Sequence, residues 1–266
     1  MNGQIDKKKV ARRFSRNAKT YDQYANVQKT MAKKLLSMVP SEVTPGHILE
    51  IGCGTGYLTG LLATAYPHAQ IDALDIAQGM IDVASRQVTS DKVSFHCGDA
   101  ETWDGDAGYD LIISNATFQW FNTPKVTQDK LHGLLTEAGV LVYSTFGPDT
   151  FKELHDSFGA VRAQMDIKEV ISPGQAFLDA TACVDLLPEG RQSLTESQIL
   201  PEYFPKCIDF LQAVKKIGAN RASGTGERPI PGFIDQVMTH YDQAHRHGDQ
   251  VKATYEALYI CSAPSA

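Results

Sequence analysis

Long apolar runs are missing: nowhere in the 266 residues is there a stretch of roughly 18 or more apolar residues of the kind a membrane-spanning helix needs. The N-terminal MNGQIDKKKVARRFS is charged and lacks the apolar segment of a secretion signal, so a soluble protein of the cytoplasm is expected. Cysteine is sparse: Cys53, Cys97, Cys183, Cys207 and Cys261 are odd in number, scattered, and never in C-x-x-C spacing. That excludes a disulfide frame or a zinc knuckle and reads as reduced thiols. Internal repeats and low-complexity tracts are absent as well. Only HYDQAHRH gathers histidines, at the polar end of a helical pattern, and no metal is expected there.

What remains is 42% hydrophobic and 21% charged, enough apolar material for a substantial core. Net charge is −6, but residues 1 to 34 carry ten Lys or Arg against Asp6 and Asp22, a local +8, leaving −14 for the rest. Such asymmetry points to an acidic partner met at the N-terminal end. Lys8, Arg12 and Arg16 are four apart, on one face of any helix.

Residues 6 to 39 have helical periodicity, with Val10, Phe14, Tyr21, Val27, Met31, Leu35 and Leu36 apolar and few breakers before Pro40, which predicts two helices. From 47 to 146 short apolar runs (HILEIG, QIDALDI, VSFHCGD, YDLIISN, GVLVYSTF) alternate with helical stretches (YLTGLLATAY, QGMIDVASRQV, KVTQDKLHGLL). Alternation of this kind means βαβ units and a parallel sheet covered on both faces, a doubly wound α/β fold. Residues 148 to 250 turn mostly helical, broken at EVISPGQ, LLPEG and SGTGERPIPG, and are expected to cap one sheet edge. RQSLTESQIL and VKATYEALYICSA are the strand formers that complete the sheet.

The strongest local signal is HILEIGCGTGYLTGLL, a strand, a turn with Gly52, Gly54 and Gly56, and a helix. Glycines there let the backbone turn sharply and approach a ligand at the helix N-terminus. The dinucleotide pattern G-x-G-x-x-G fails because Tyr57 stands where its third glycine belongs, and the phosphate-loop pattern fails for want of its lysine.

The E-I-G-C-G-T-G of Glu50 to Gly56 resembles the first motif of the class I methyltransferases that use S-adenosylmethionine. That resemblance implies a Rossmann-like sheet, mostly parallel with the last strand antiparallel, and a cofactor site of Glu50, Gly52, Gly54, Gly56, Asp75, Ile76, Met80, Asp99, Ala100 and Asn115. Asp75 would accept from the ribose hydroxyls, Asp99 and Ala100 would border the adenine, and Asn115 would lie beside the methionine end. These positions follow successive strands, where an open α/β sheet places its crevice.

VARRFSRNAKTYDQYANVQKTMAKKL, SNATFQWF, STFGPDTFKEL, DFLQAVKKIGANRAS and TYEALYICSA narrow the resemblance to the malonyl-[acyl-carrier protein] O-methyltransferases of biotin synthesis. The family implies one domain over 1–266, with lid helices in 1–40, a cofactor core in 47–146, a helical cap carrying a sheet-completing strand in 148–250 and a final strand in 251–266. It implies methylation of a malonyl carboxylate, with S-adenosylhomocysteine released and no metal. Tyr21 is then expected to close over the methionyl end, and Arg221 to grip the carboxylate through its guanidinium fork, with Arg162, Arg191 and Arg228 as further cap arginines. Gln119, Trp120 and Phe121 would floor the space between cofactor and acyl group. The acidic acyl carrier protein would dock on Lys8, Arg12, Arg16 and the rest of the basic N-terminal segment, without membrane contact. Two alternatives stay open: a carboxylate methyltransferase acting on a small diacid or a carboxymethylated tRNA base, and a cofactor-binding interaction module without catalysis. The acidic balance of the whole chain argues against nucleic acid.

Overall fold

A computed structural model describes residues 4–170, 172–218 and 230–265. In chain order the elements are α1 (Lys7–Tyr21), α2 (Asn26–Leu36), β1 (His47–Ile51), α3 (Tyr57–Ala65), β2 (Gln70–Asp75), α4 (Gln78–Gln87), β3 (Val93–Cys97), β4 (Tyr109–Ser114), α5 (Pro124–Leu134), β5 (Leu135–Phe146), α6 (Lys152–Gln164), α7 (Ala180–Asp185), β6 (Arg191–Phe204), α8 (Cys207–Lys216), α9 (Phe233–Ala244), β7 (Arg246–His247) and β8 (Gln250–Pro264). A single 3-10 turn, Phe118–Trp120, lies between β4 and α5.

The sheet order is β3-β2-β1-β4-β5-β8-β6, with β7 paired to β8. Pairings from β3 through β5 are parallel. β8 runs antiparallel to both β5 and β6. The order reverses between β1 and β4, and crossovers leave that point toward opposite edges, which opens the crevice of a doubly wound sheet at the carboxyl ends of those strands. Ile48, Leu49, Leu111, Ile112, Leu141 and Val142 are fully buried, as the near-continuous apolar runs require of strands covered on both faces. The sheet therefore has one core on each face: Met31, Leu35 and Leu62 belong to one, Ile112, Leu131 and Tyr143 to the other.

The two expected N-terminal helices form. Asp6 caps α1 by accepting from the Lys9 N–H at 3.0 Å, satisfying a donor in its first turn. The cap region builds a third core from α6, α8 and α9, with Leu154, Phe158, Phe210, Val237 and Tyr241 buried against Val251 and Ala253 of β8. Expected strand RQSLTESQIL extends further, to Phe204, because β6 pairs with β8 along its full length. No helix among the described residues is long and apolar enough to cross a membrane.

Candidate functional site

The turn after β1 is stitched to the end of β2: the N–H groups of Gly52 and Cys53 both donate to the Leu74 carbonyl, at 2.7 and 3.0 Å. All three glycines have positive φ, but their surroundings differ. A Cβ on Gly52 would lie 2.0 Å from Thr117 Oγ1, so a side chain here would force Thr117 to shift. At Gly56 an added Cβ would meet Ala84 at 3.1 Å, where α3 and α4 approach, whereas Gly54 faces open space. Of the three, Gly52 lines the crevice above the sheet.

That crevice encloses about 650 Å³, counting its open mouth, and is bordered by Lys7, Phe14, Tyr21, Gly52, Asp75, Ile76, Asp99, Ala100, Asn115, Trp120 and Phe121. A smaller recess of about 390 Å³ continues from it past Tyr21, Gly52 and Asn115 to Glu50 and Lys29. The structure thus brings together Tyr21, Glu50, Gly52, Asp75, Ile76, Asp99, Ala100, Asn115, Trp120 and Phe121 from the sequence-based set. Met80 is not on the wall. It is buried with Ala18 and Ala77 where α1 meets α4. Gly54 and Gly56 do not border the crevice or the recess.

The carboxylates have distinct surroundings. Asp75 accepts from Gly54 N–H at 2.9 Å and Ala77 N–H at 2.8 Å. Burial pushes its pKa up to about 6, and those two hydrogen bonds hold it from rising further. Glu50 is 1% exposed. Its Oε2 has no hydrogen-bond partner among the described atoms. Burial raises its carboxyl to about 8, the Thr59 hydroxyl offsetting part of this and the charge of Asp75 adding to it. Asp99 meets Lys7 Nζ at 3.1 Å, and the same ammonium reaches Glu101 at 2.6 Å. Burial acts to raise Glu101, but hydrogen bonds from Asn122, Lys7 and Thr123 outweigh it and bring its pKa to about 2. Asn115 donates one amide N–H to the Gln28 carbonyl at 3.0 Å and accepts from Ser144 Oγ at 2.8 Å.

Helix α1 lies across this crevice. Its Phe14 packs edge-on against Trp120 with ring centroids 5.7 Å apart and against Tyr21 at 6.4 Å. Ser15 Oγ accepts from Gly79 N–H at 3.2 Å, a contact made possible because a Cβ on Gly79 would strike the Ser15 backbone at 2.7 Å. Ile5 and Asn122 exchange two hydrogen bonds, at 2.7 and 3.1 Å. Asp22 anchors the far end, accepting from Thr55 Oγ1 at 2.9 Å and Gln87 at 3.2 Å. Burial drives the Tyr21 phenol far above its ordinary pKa, helped by the charges of Asp75 and Asp22, so its hydroxyl stays neutral.

The basic N-terminal segment divides in two. Lys8, Arg12, Arg16 and Lys19 are exposed on the outer face of α1. Lys7, expected among the docking charges, instead points inward, its ammonium 5.4 Å from the Phe121 ring centre and tied to Asp99 and Glu101. Lys29 bonds the Asp22 carbonyl at 2.8 Å and Lys34 pairs with Glu196 at 2.7 Å. Sequence reasoning missed Lys7 as a clasp because its partners lie far along the chain. The signal was there in part: one helical turn separates Lys7 from the buried Val10 on the inner face.

Gln119, Trp120 and Phe121 stand between three cavities. Trp120 borders the crevice and a second, largely apolar cavity of about 1070 Å³; Phe121 borders the crevice and a third of about 1120 Å³; Gln119 borders both of the latter. Arg221 and Arg228 lie outside the described residues. Arg191 is committed elsewhere, donating to the Gly139 carbonyl at 2.8 Å and the Ser262 carbonyl at 3.1 Å. Arg162 sits half-buried on α6 and does not border these cavities. Among the described residues no group of three or more His, Cys, Asp or Glu is placed to hold a metal.

Residues 48–139 match the family described as "Methyltransferase domain". Over 264 residues the chain is 40% identical to a protein of Priestia megaterium named malonyl-[acyl-carrier protein] O-methyltransferase, covering 96% of each. A protein of the same name from Acetivibrio thermocellus is 41% identical over 267 residues, covering 97% of this chain and 94% of its own. Among solved structures, the YcgJ protein of a Bacillus superposes with a TM-score of 0.60 at 15% identity, covering 88% of this chain and 98% of the other, a likeness of fold.

Proposed function

The chain belongs to the malonyl-[acyl-carrier protein] O-methyltransferase family, and from that premise we propose that it transfers the methyl of S-adenosylmethionine to the free carboxylate of malonyl-[acyl-carrier protein]. The products are the methyl ester and S-adenosylhomocysteine. Full-length identity of 40% over 96% of both chains carries this reading, since the glycine turn alone is common to methyltransferases of every substrate class.

The residues fit such a cofactor. An orphaned, buried Glu50 oxygen in the recess beyond Gly52 suits an amino-acid ammonium, and Lys29 on the same wall suits its carboxylate. Asp75 has acceptor capacity left for ribose hydroxyls beyond its two backbone bonds, because an ionised carboxylate offers about four lone-pair sites. Asp99 and Ala100, which line the crevice beside the Lys7 clasp, would border the adenine. Asn115, fixed by its bonds to Gln28 and Ser144, would lie beside the methionine end.

When bound, the sulfonium supplies an activated methyl group. A malonyl carboxylate, with a pKa near 4, is already ionised at neutral pH and needs no general base. The protein's task is therefore to align the acceptor oxygen, hold it against the crevice and exclude water, and alignment of this kind contributes roughly 7–11 kcal/mol in favourable cases. Tyr21, Phe14 and Trp120 form the apolar wall that does so, with the Tyr21 hydroxyl neutral throughout the working range. Arg221 remains the proposed grip on the acyl carboxylate. The exposed Lys8, Arg12 and Arg16 supply the field for an acidic carrier protein, raising encounter rates in a way that salt weakens.

The deciding assay offers malonyl-carrier protein, a free malonyl thioester, a small diacid and transfer RNA with labelled methyl donor. Label on malonyl-carrier protein is expected. Label on the diacid or RNA alone, or none anywhere despite cofactor binding, refutes the reading.

A further inference from the structure

The geometry points to the apolar cavity behind Trp120, between α6, α8 and the sheet, as the passage that receives the amide-bearing thioester arm of the carrier protein, with Gln175 as its polar anchor. This inference rests on the substrate reading above and names the part of the site that reading leaves open.

Continuity comes first. Trp120 is common to this cavity and the methyl-donor crevice, and Gln28, another wall residue, also borders the Glu50 recess and holds Asn115 through its carbonyl. A chain lying here has its tip at Trp120, against the crevice. The volume of about 1070 Å³, counting its mouth, is at the upper end of small-molecule sites and suits an extended arm rather than a three-carbon acid alone.

Chemistry inside the cavity comes next. Phe146, Phe151, Phe210 and Tyr255 make the wall apolar. Gln175 interrupts it: its amide N–H donates to the Gln119 carbonyl at 3.1 Å, while its Oε1 is buried without a partner among the described atoms. An unmatched buried acceptor is costly, and an amide N–H from an entering chain removes that cost. His155, also on the wall, is held toward its neutral form by burial. The interior therefore presents no fixed cation and favours a neutral thioester and amides.

The rim selects the source of the chain. Lys215 borders the cavity yet is exposed, with Lys216 exposed beside it at the end of α8. Gly218, two residues on, packs so closely on α1 that a Cβ there would stand 3.3 Å from the Arg13 backbone. The α8 end with its exposed lysines thus adjoins α1, on which Lys8, Arg12 and Arg16 are exposed too, and Lys215 borders the entrance. The rival cavity beside Phe121 shares Gln119, Gln175 and Phe177 with the first, and what distinguishes it is that it has no Lys or Arg on its wall. An acidic protein seated on α1 and α8 delivers its arm to the first cavity.

Leu211→Trp fills the proposed passage from a half-buried position on α8, and Ala176→Trp fills the rival one from an exposed position. Steady-state kinetics with malonyl-carrier protein, calorimetry with S-adenosylhomocysteine and thermal unfolding are measured for both, and for the near-isosteric Gln175→Met. Leu211→Trp is expected to raise KM for the carrier substrate about tenfold or more, with S-adenosylhomocysteine affinity and Tm as in wild type. Ala176→Trp is expected to leave KM unchanged. Gln175→Met should raise KM several-fold for malonyl-pantetheine but leave it unchanged for a malonyl thioester without amides. Wild-type KM in Leu211→Trp, or a rise confined to Ala176→Trp, overturns the inference. Should Leu211→Trp fail to fold, equal effects of Gln175→Met on the two thioesters overturn it instead. If the wild-type protein itself does not methylate malonyl-carrier protein, the substrate reading fails, an outcome distinct from these.

Discussion

Gly52→Ala tests the link between the glycine turn and the loop after β4. Gly52 has φ +72°, and a Cβ built there would fall 2.0 Å from Thr117 Oγ1 and 2.8 Å from both Thr117 Cβ and Cγ2. Left-handed backbone costs an alanine about 1–2 kcal/mol. Forcing a methyl into a packed site adds about 1–3 kcal/mol, because Thr117 is held at 3.1 Å by the Asn115 carbonyl and has little room to retreat. The expected destabilisation is therefore about 2–5 kcal/mol, a Tm lowered by roughly 4–20 °C at 2–4 °C per kcal/mol for a chain of this size. Since Gly52 and Thr117 both face the crevice, S-adenosylhomocysteine affinity should fall as well. A double-mutant cycle separates the terms: Thr117→Gly removes the three atoms nearest the new methyl, so in that background chiefly the backbone cost remains and the coupling should be about 1–3 kcal/mol. Thermal unfolding and calorimetric titration of the four proteins measure it. An unchanged Tm in Gly52→Ala, or a cost that persists in full beside Thr117→Gly, refutes the packing argument.

Glu50, with its pKa near 8, is largely protonated in the free protein at neutral pH, and an ammonium beside it favours the carboxylate. Cofactor binding should then release a proton, and affinity should rise with pH between about 6.5 and 8 and level off above; calorimetry in buffers of different ionisation enthalpy reads this directly, and a slope that survives Glu50→Gln would exclude Glu50 as its source. The same shift acts on stability. A carboxyl raised on folding disfavours the folded state progressively as pH climbs from its unfolded value near 4.5 through 8, so Tm should fall less between pH 6 and 8 in Glu50→Gln than in wild type. Gly79→Ala pushes the Ser15 backbone away from α4. Weaker S-adenosylhomocysteine binding with faster amide exchange confined to residues 4–21 is expected, and unchanged exchange there would show that α1 does not depend on this contact. Reversing Lys8, Arg12 and Arg16 to Glu should raise KM for malonyl-carrier protein and flatten its salt dependence while leaving S-adenosylhomocysteine binding alone; an unaltered salt profile would place docking elsewhere.

The crevice was legible because its makers are local in sequence. A glycine-rich turn after an apolar run serves left-handed backbone or a close backbone approach, and Asp75, Asp99 and Asn115 each follow or end a strand whose apolar composition gives it away. The helices of the cap were visible by the same periodicity. Element ends were less so: β6 runs on through Pro201 to Phe204 because β8 pairs with it to the end, a pairing that no property of residues 201 to 204 announces. The family resemblance put Met80 among the cofactor contacts, but α1 covers it, and the covering helix is about 60 residues away in the chain.

Local propensity, hydrophobic period and steric demand thus determined the doubly wound sheet, the glycine turn and the identity of the crevice-lining strands, since each depends on neighbours within about one element. Tertiary structure alone decided which charges are spent and which are free. Lys7 and Lys8 are adjacent and chemically identical in sequence, yet one is clasped by Asp99 and Glu101 over the crevice while the other faces water. It also decided what lies behind Trp120, because a cavity is enclosed by residues from Gln28 to Tyr255 that have no shared pattern until the sheet and the cap bring them within reach of one another.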